Sequence, residues 1–239
     1  MSRGTVNWTV LRAPAAGEPE GEGLRERKKR LMRQQLSDAA TRMFVERGFD
    51  AVRVAEIAEA CGVSEKTVFN YFPTKESLIL DLPQATAASL EVALSDPAPG
   101  FSPVAAALRV LADELASVTS WLAAQDDRAG AAADFRRFGA LIHSTPSLRA
   151  QQREIRDELV AVTAGLLARR TGAEPGDPEP QITATALLGL WPVQFRSLGR
   201  HLDGTRTPGQ VRDAVTVDVH RAANLIDAGL RTFGAPDAG

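Results

Sequence analysis

The side chains with the clearest chemical role in this sequence are the hydrogen-bonding groups of the short segment 64–75. Lys66 is suited to donate to O6 and N7 of guanine or to a phosphate, and Asn70 to pair both ends of its amide with adenine. Thr67 carries a hydroxyl and a methyl group, which suit a phosphate oxygen or a thymine methyl. Residue types in this combination indicate contact with nucleic-acid bases.

Patterns typical of catalysis or of metal binding are missing from the sequence. No Ser-His-Asp arrangement or phosphate-binding loop is recognisable, so we predict neither an enzyme nor a cofactor. His143, His201 and His220 lie too far apart to predict a metal site. The single cysteine, Cys61, falls in an apolar set, which favours a core thiol over an oxidant sensor.

Two short helices, predicted from about 54 to 61 and, after Ser64, to about 71, must position the polar segment. Ile57 and Val68 are apolar at spacings that close the two helices on each other. Gly62 stands where the connecting turn needs a positive φ, and Ser64 is a suitable cap for the second helix. The pattern predicts a helix-turn-helix whose second helix fits a major groove.

The stretch from 33 to 76 resembles the tetracycline-repressor (TetR) family in the order and spacing of its residues. The matching positions are Arg33, Ala39, Ala40, Phe44, Gly48, Phe49, Ile57, Ala58, Gly62, Val63, Ser64, Thr67, Val68, Tyr71, Phe72, Lys75 and Glu76. The resemblance implies a DNA-binding head, a dimer, and C-terminal helices that hold a ligand. Two positions depart from the family pattern: Arg53, where Thr or Ser usually caps a helix, and Phe69, where Tyr often reaches phosphate.

Charge is distributed unevenly along the chain. Residues 24–75 contain 11 Lys and Arg against 7 Asp and Glu, whereas the whole chain has a net charge of −2. A basic module joined to an acidic one favours DNA contact by the first, although the basic run 25–30 alone would also suit a solvated helix end. The predicted DNA-binding residues are Arg30, Arg33, Ser64, Glu65, Lys66, Thr67, Asn70, Tyr71 and Lys75.

The rest of the chain predicts an all-α protein of about nine helices. Residues 1–23 read as a flexible tail, 24–75 as the helix-turn-helix domain, and 76–239 as a helical ligand-binding and dimerisation domain. A helix from Lys75 with a kink or break at Pro83 is followed by helices at about 103–125, 130–144, 146–170, 180–202 and 208–233. Without a signal peptide or a long apolar run, we expect no membrane contact and a cytoplasmic protein.

Aromatic residues in the C-terminal part predict an effector site. The chosen set is Trp121, Phe138, Trp191 and Phe195 as apolar walls, with His143 as a hydrogen-bonding group. A kink expected at Pro192 would separate helices near this set. The alternative is that each aromatic residue belongs to an ordinary helical core.

The two last predicted helices, 180–202 and 208–233, carry apolar residues on more than one face. A helix of this kind must cover a second partner, and we expect Leu187 and Leu225 at a homodimer interface. The family resemblance implies a four-helix bundle of these helices.

The sequence therefore predicts a homodimeric repressor of a palindromic operator, released by a small, largely apolar effector. Three alternatives stay open. One is a regulator without an effector, whose C-terminal domain only dimerises, and another is an activator. An enzyme with an attached DNA-binding head would need a catalytic set after residue 75, and none is recognisable.

Overall fold

The computed structural model describes residues 23–80, 83–95 and 102–230, and in these ranges the chain is helical without any strand. This confirms the predicted all-α fold. The ten α-helices are α1 Leu24–Arg47, α2 Val54–Ala60, α3 Glu65–Tyr71, α4 Pro83–Leu94, α5 Pro103–Ala123, α6 Arg128–Ser144, α7 Pro146–Thr171, α8 Pro178–Leu188, α9 Leu190–His201 and α10 Pro208–Leu230. The predicted flexible tail lies almost wholly outside the described residues.

Two predicted helices are divided differently in the structure. The helix expected at 180–202 is two helices, α8 and α9, because Pro192 has no N–H to donate to the Leu188 carbonyl one turn earlier. The helix expected from Lys75 is only a 3-10 turn, Glu76–Leu78, and α4 begins separately at Pro83. Proline at the first position of a helix leaves no intrahelical hydrogen bond unmade, so Pro83 favours a start rather than a kink.

Two apolar cores organise the molecule. The larger contains residues of α4, α5 and α7–α10. The smaller, here called the head core, contains α1–α3 and the 3-10 turn, and it also takes in Phe138 and Ile142 of α6 and Leu148 of α7. Phe135 of α6 lies in the larger core, so α6 contributes to both.

The described helices include none with the length and apolarity needed to span a membrane.

Candidate nucleic-acid interface and effector cavity

Helix α3 presents a polar face to solvent and is held by one buried residue. Ser64 precedes it in an extended conformation and its Oγ accepts from the Thr67 N–H at 3.1 Å, which is the predicted cap. Val68 is fully buried in the head core, whereas Glu65, Lys66 and Asn70 are exposed. The face predicted to contact bases is thus open.

The angle between α2 and α3 is fixed by a tight turn and by packing beneath it. Gly62 has a φ of +69°, as the turn was predicted to require, and the Val63 N–H donates to the Ala58 carbonyl at 3.0 Å. Ile57 and Ala58 are buried under the turn with Val68. Helix α3 therefore stands on a rigid base.

Glu56 satisfies the backbone at the start of α2, where Arg53 stands in place of the usual Thr or Ser cap. Its carboxylate accepts from the Arg53 N–H at 2.9 Å and forms an ion pair with Arg47 at 2.7 Å. These contacts, led by the Arg53 hydrogen bond, hold the pKa of Glu56 below its ordinary value. The start of α2 is thereby tied to the end of α1.

Two cations among the predicted DNA contacts, Arg33 and Lys75, have partners inside the head. Arg33 donates to the Tyr71 carbonyl at 2.5 Å and its guanidinium lies over the Phe72 ring, 4.4 Å from the centroid. Lys75 donates to the Phe49 carbonyl at 2.6 Å, and its Nζ lies 4.4 Å from the centroid of the Phe49 ring. Both cations brace the region below α3, and their contact with phosphate stays a prediction.

The basic run forms the first two turns of α1. All residues from Leu24 to Leu31 are exposed, and no side chain caps the helix start at Gly23. Burial along α1 becomes continuous only around Leu36. These turns, Arg30 included, therefore project from the head core as a cationic extension.

The five predicted effector residues do not line one cavity. Trp121 and Phe138 are buried, and Trp191 is occupied by a hydrogen bond from its Nε1 to Glu114 at 2.9 Å. His143 and Phe195 do line a shared cavity of about 380 Å³ between α6 and α9. Phe138 lies behind it, with its ring centroid 6.5 Å from that of Phe195.

A second cavity, of about 580 Å³, lies among α7, α8 and α9. Its walls mix charged Arg156 and Asp157 with Val160, Thr185 and Pro192. No predicted effector residue lines it.

Glu114 is a site that the sequence reading missed. It lies in the apolar register of α5 and accepts from Trp191 of α9 and, at 3.3 Å, from the Thr86 hydroxyl of α4. Burial raises the pKa of its carboxyl to about 7, which the two hydrogen bonds only partly offset. The sequence signal was a carboxylate at helical spacing from apolar residues, three residues after Leu111 and four before Val118.

The described residues offer neither a reactive cysteine nor a metal-binding cluster. Burial raises the pKa of the Cys61 thiol, which makes a reactive thiolate less accessible. No cluster of three potential metal ligands occurs among the residues described.

Comparison with known proteins gives matches in both parts of the chain. A family model described as bacterial regulatory proteins, tetR family, matches residues 36–82, and one described as the MftR C-terminal domain matches residues 123–216. The HTH-type transcriptional regulator TcmR of Streptomyces glaucescens is 31% identical over 159 residues, which are 66% of this chain and 69% of that protein.

Shorter matches are confined to smaller parts of the chain. The HTH-type transcriptional regulator LuxR of Vibrio harveyi is 49% identical over 47 residues, 20% of this chain and 23% of that protein. The HTH-type transcriptional repressor AcnR of Corynebacterium glutamicum is 34% identical over 64 residues, 27% of this chain and 34% of that protein. These relatives are regulators of transcription rather than enzymes.

Proposed function

The chain belongs to the TetR family of bacterial regulatory proteins and is a DNA-binding transcriptional regulator; we propose that it is a homodimeric repressor of a palindromic operator. A small, largely apolar effector releases it from that operator. Such a protein acts where the DNA is, in the cytoplasm. The observation that carries the proposal is the open polar face of α3 on a rigid base, beside the cationic start of α1.

The exposed face of α3 supports sequence-specific binding. Lys66 and Asn70 are one helical turn apart and both point to solvent, so both reach base edges when α3 lies in a major groove. The exposed cations of α1 supply the phosphate contacts that position the head but carry no sequence information.

Exposed apolar residues on α8 and α10 support the homodimer. Ile182 is 62% exposed, Val217 58% and Leu225 79%, although large apolar residues elsewhere on these helices are mostly buried. Leu187, expected at the interface, is fully buried within the chain, so that expectation was wrong: it packs in the larger core. We assign the dimer contact to the three exposed residues instead.

Selection of operator sequences from random DNA with the full chain tests the proposal. Two-fold symmetric heads read matching half-sites one or more helical turns apart, so an inverted repeat should be enriched. Transcription in vitro from a promoter that overlaps the selected repeat should then fall as protein is added. Enrichment of no palindrome would contradict the operator proposal, and a rise in transcription would make the protein an activator.

A further inference from the structure

The cavity between α6 and α9, here called the α6–α9 groove, has an aromatic floor. Phe135 and Phe195 line it with their ring centroids 5.4 Å apart. Gly139 permits this packing, because a Cβ there would lie 3.3 Å from a Phe195 ring carbon. Gly199 also lines the groove, and a Cβ there would meet no atom within 4 Å. The groove thus offers ring surface and open space for a flat apolar group.

The rim of the α6–α9 groove carries two arginines, Arg136 and Arg196, and the imidazole of His143. None of the residues that line the groove is acidic. Arg136 is held in place because it donates to the Leu202 carbonyl. Arg196 and His143 are exposed and have no hydrogen bond or ion pair within the described ranges. Guanidinium and imidazole donors with spare capacity are suited to a carboxylate or a sulfonate.

We propose that the α6–α9 groove binds a flat aromatic anion, with its rings on Phe195 and its acidic group at Arg196. The volume of about 380 Å³ falls within the usual range for small-molecule sites. If the bound anion is the effector, the largely apolar effector of the proposed function is an aromatic acid. Binding of the anion stands by itself, and only its role in releasing DNA rests on the proposed function.

The groove lies beside the junction of the two cores. Phe195 packs against both the larger core and the head core. Across the groove, α6 places Phe135 in the larger core and, one turn later, Phe138 in the head core. A ligand that displaces the Phe195 ring therefore acts on a residue that touches the packing beneath the DNA-binding head.

Two fluorescent probes of the same ring system test the binding step without DNA. We would titrate the full chain with 8-anilinonaphthalene-1-sulfonate and with N-phenyl-1-naphthylamine, which lacks the sulfonate. The sulfonate probe should saturate at one site per chain and bind roughly tenfold more tightly than the neutral probe, because it adds a charge-assisted hydrogen bond. Equal affinity of the two probes would overturn the assignment to an anion.

Two variants locate the site. Arg196→Gln should lower affinity for the sulfonate probe to about that of the neutral probe and leave the neutral probe unchanged. Gly199→Leu should remove binding of both, because its side chain occupies the groove, while thermal stability is kept, since leucine favours a helix over glycine. Arg153→Gln, an exposed arginine of α7, is the matched control. Undiminished binding by folded Gly199→Leu would place the probes elsewhere and overturn the proposal.

Coupling to DNA is measured separately. Operator affinity should fall roughly 5- to 150-fold in saturating sulfonate probe, and operator should weaken probe binding by the same factor. Probe binding that Gly199→Leu abolishes, with operator affinity unchanged, would keep the binding site and overturn its regulatory role. Failure of the chain to bind any operator would contradict the proposed function and leave the probe result intact.

Discussion

Asn70 is the residue of α3 whose removal should change specificity most directly. Its amide is exposed and is able to form two hydrogen bonds with one adenine, so Asn70→Ala should weaken operator binding by about 1–3 kcal/mol and relax the preference at one base position. Fluorescence anisotropy with operators substituted at each position measures both effects. Asn224→Ala on α10 is the control. An unchanged preference at every position in Asn70→Ala would contradict direct reading of a base.

The local structural roles of head residues were predictable, but their distant contact partners were not. The Ser64 cap and the positive φ of Gly62 follow from local chemistry and could be predicted from spacing alone. The Phe49 carbonyl that holds Lys75 lies 26 residues earlier in the chain, and no local pattern indicates such a contact. Sequence reasoning therefore predicts which cations contact DNA but not which of them already have an internal partner.

Among the helices, the contact of α4, α5 and α9 at Glu114 has a consequence for stability. The folded chain raises the pKa of this carboxyl to about 7, so the folded state binds its proton more tightly than the unfolded state. The contribution is fully favourable below the usual pKa of 4.5 and is lost as pH rises to about 7, a difference on the order of 3 kcal/mol.

Glu114→Gln should therefore flatten the fall in stability between pH 5 and pH 8, because glutamine does not ionise and still accepts hydrogen bonds. Urea unfolding followed by tryptophan fluorescence at several pH values measures the difference. Glu158→Gln, at an exposed position of α7, should keep the wild-type slope. The same slope in wild type and in Glu114→Gln would show that another group is responsible.

Helix boundaries show where periodicity stops being informative. The starts of α5, α7 and α10 at a proline could be predicted, because proline suits the first turn of a helix. The division of α8 from α9 could not be placed at Gly189, because Pro192 predicts a missing hydrogen bond but not which residue absorbs the bend. The contribution of α6 to both cores could not be predicted either, because it depends on packing between segments that are distant in the sequence.

For the whole molecule, the proposed dimer is the assembly on which operator binding should depend. Leu225→Arg should shift the chain to a monomer, because a charge buried without a partner costs several kcal/mol at an interface. Light scattering at micromolar concentration measures the mass. Val92→Arg, a change at an equally exposed apolar residue of α4, should stay dimeric. A dimer in Leu225→Arg, or a monomer in the wild type, would contradict this interface.

The projecting start of α1 implies that this segment becomes ordered when the protein binds DNA. The entropy of ordering it is then lost on binding rather than on folding of the free protein. Residues 24–31 are all exposed, no side chain caps the helix start, and cations lie near the positive end of the helix dipole, all of which disfavour these first two turns of helix. Phosphates that neutralise these cations should shift the helix–coil equilibrium of this segment toward helix. Part of the binding free energy then offsets the entropy lost when the segment folds. Amides of residues 25–31 should exchange hydrogen much faster than those of 36–44 in the free chain and slow when operator is added. Equal exchange with and without operator would mean that this segment is ordered before the protein meets DNA.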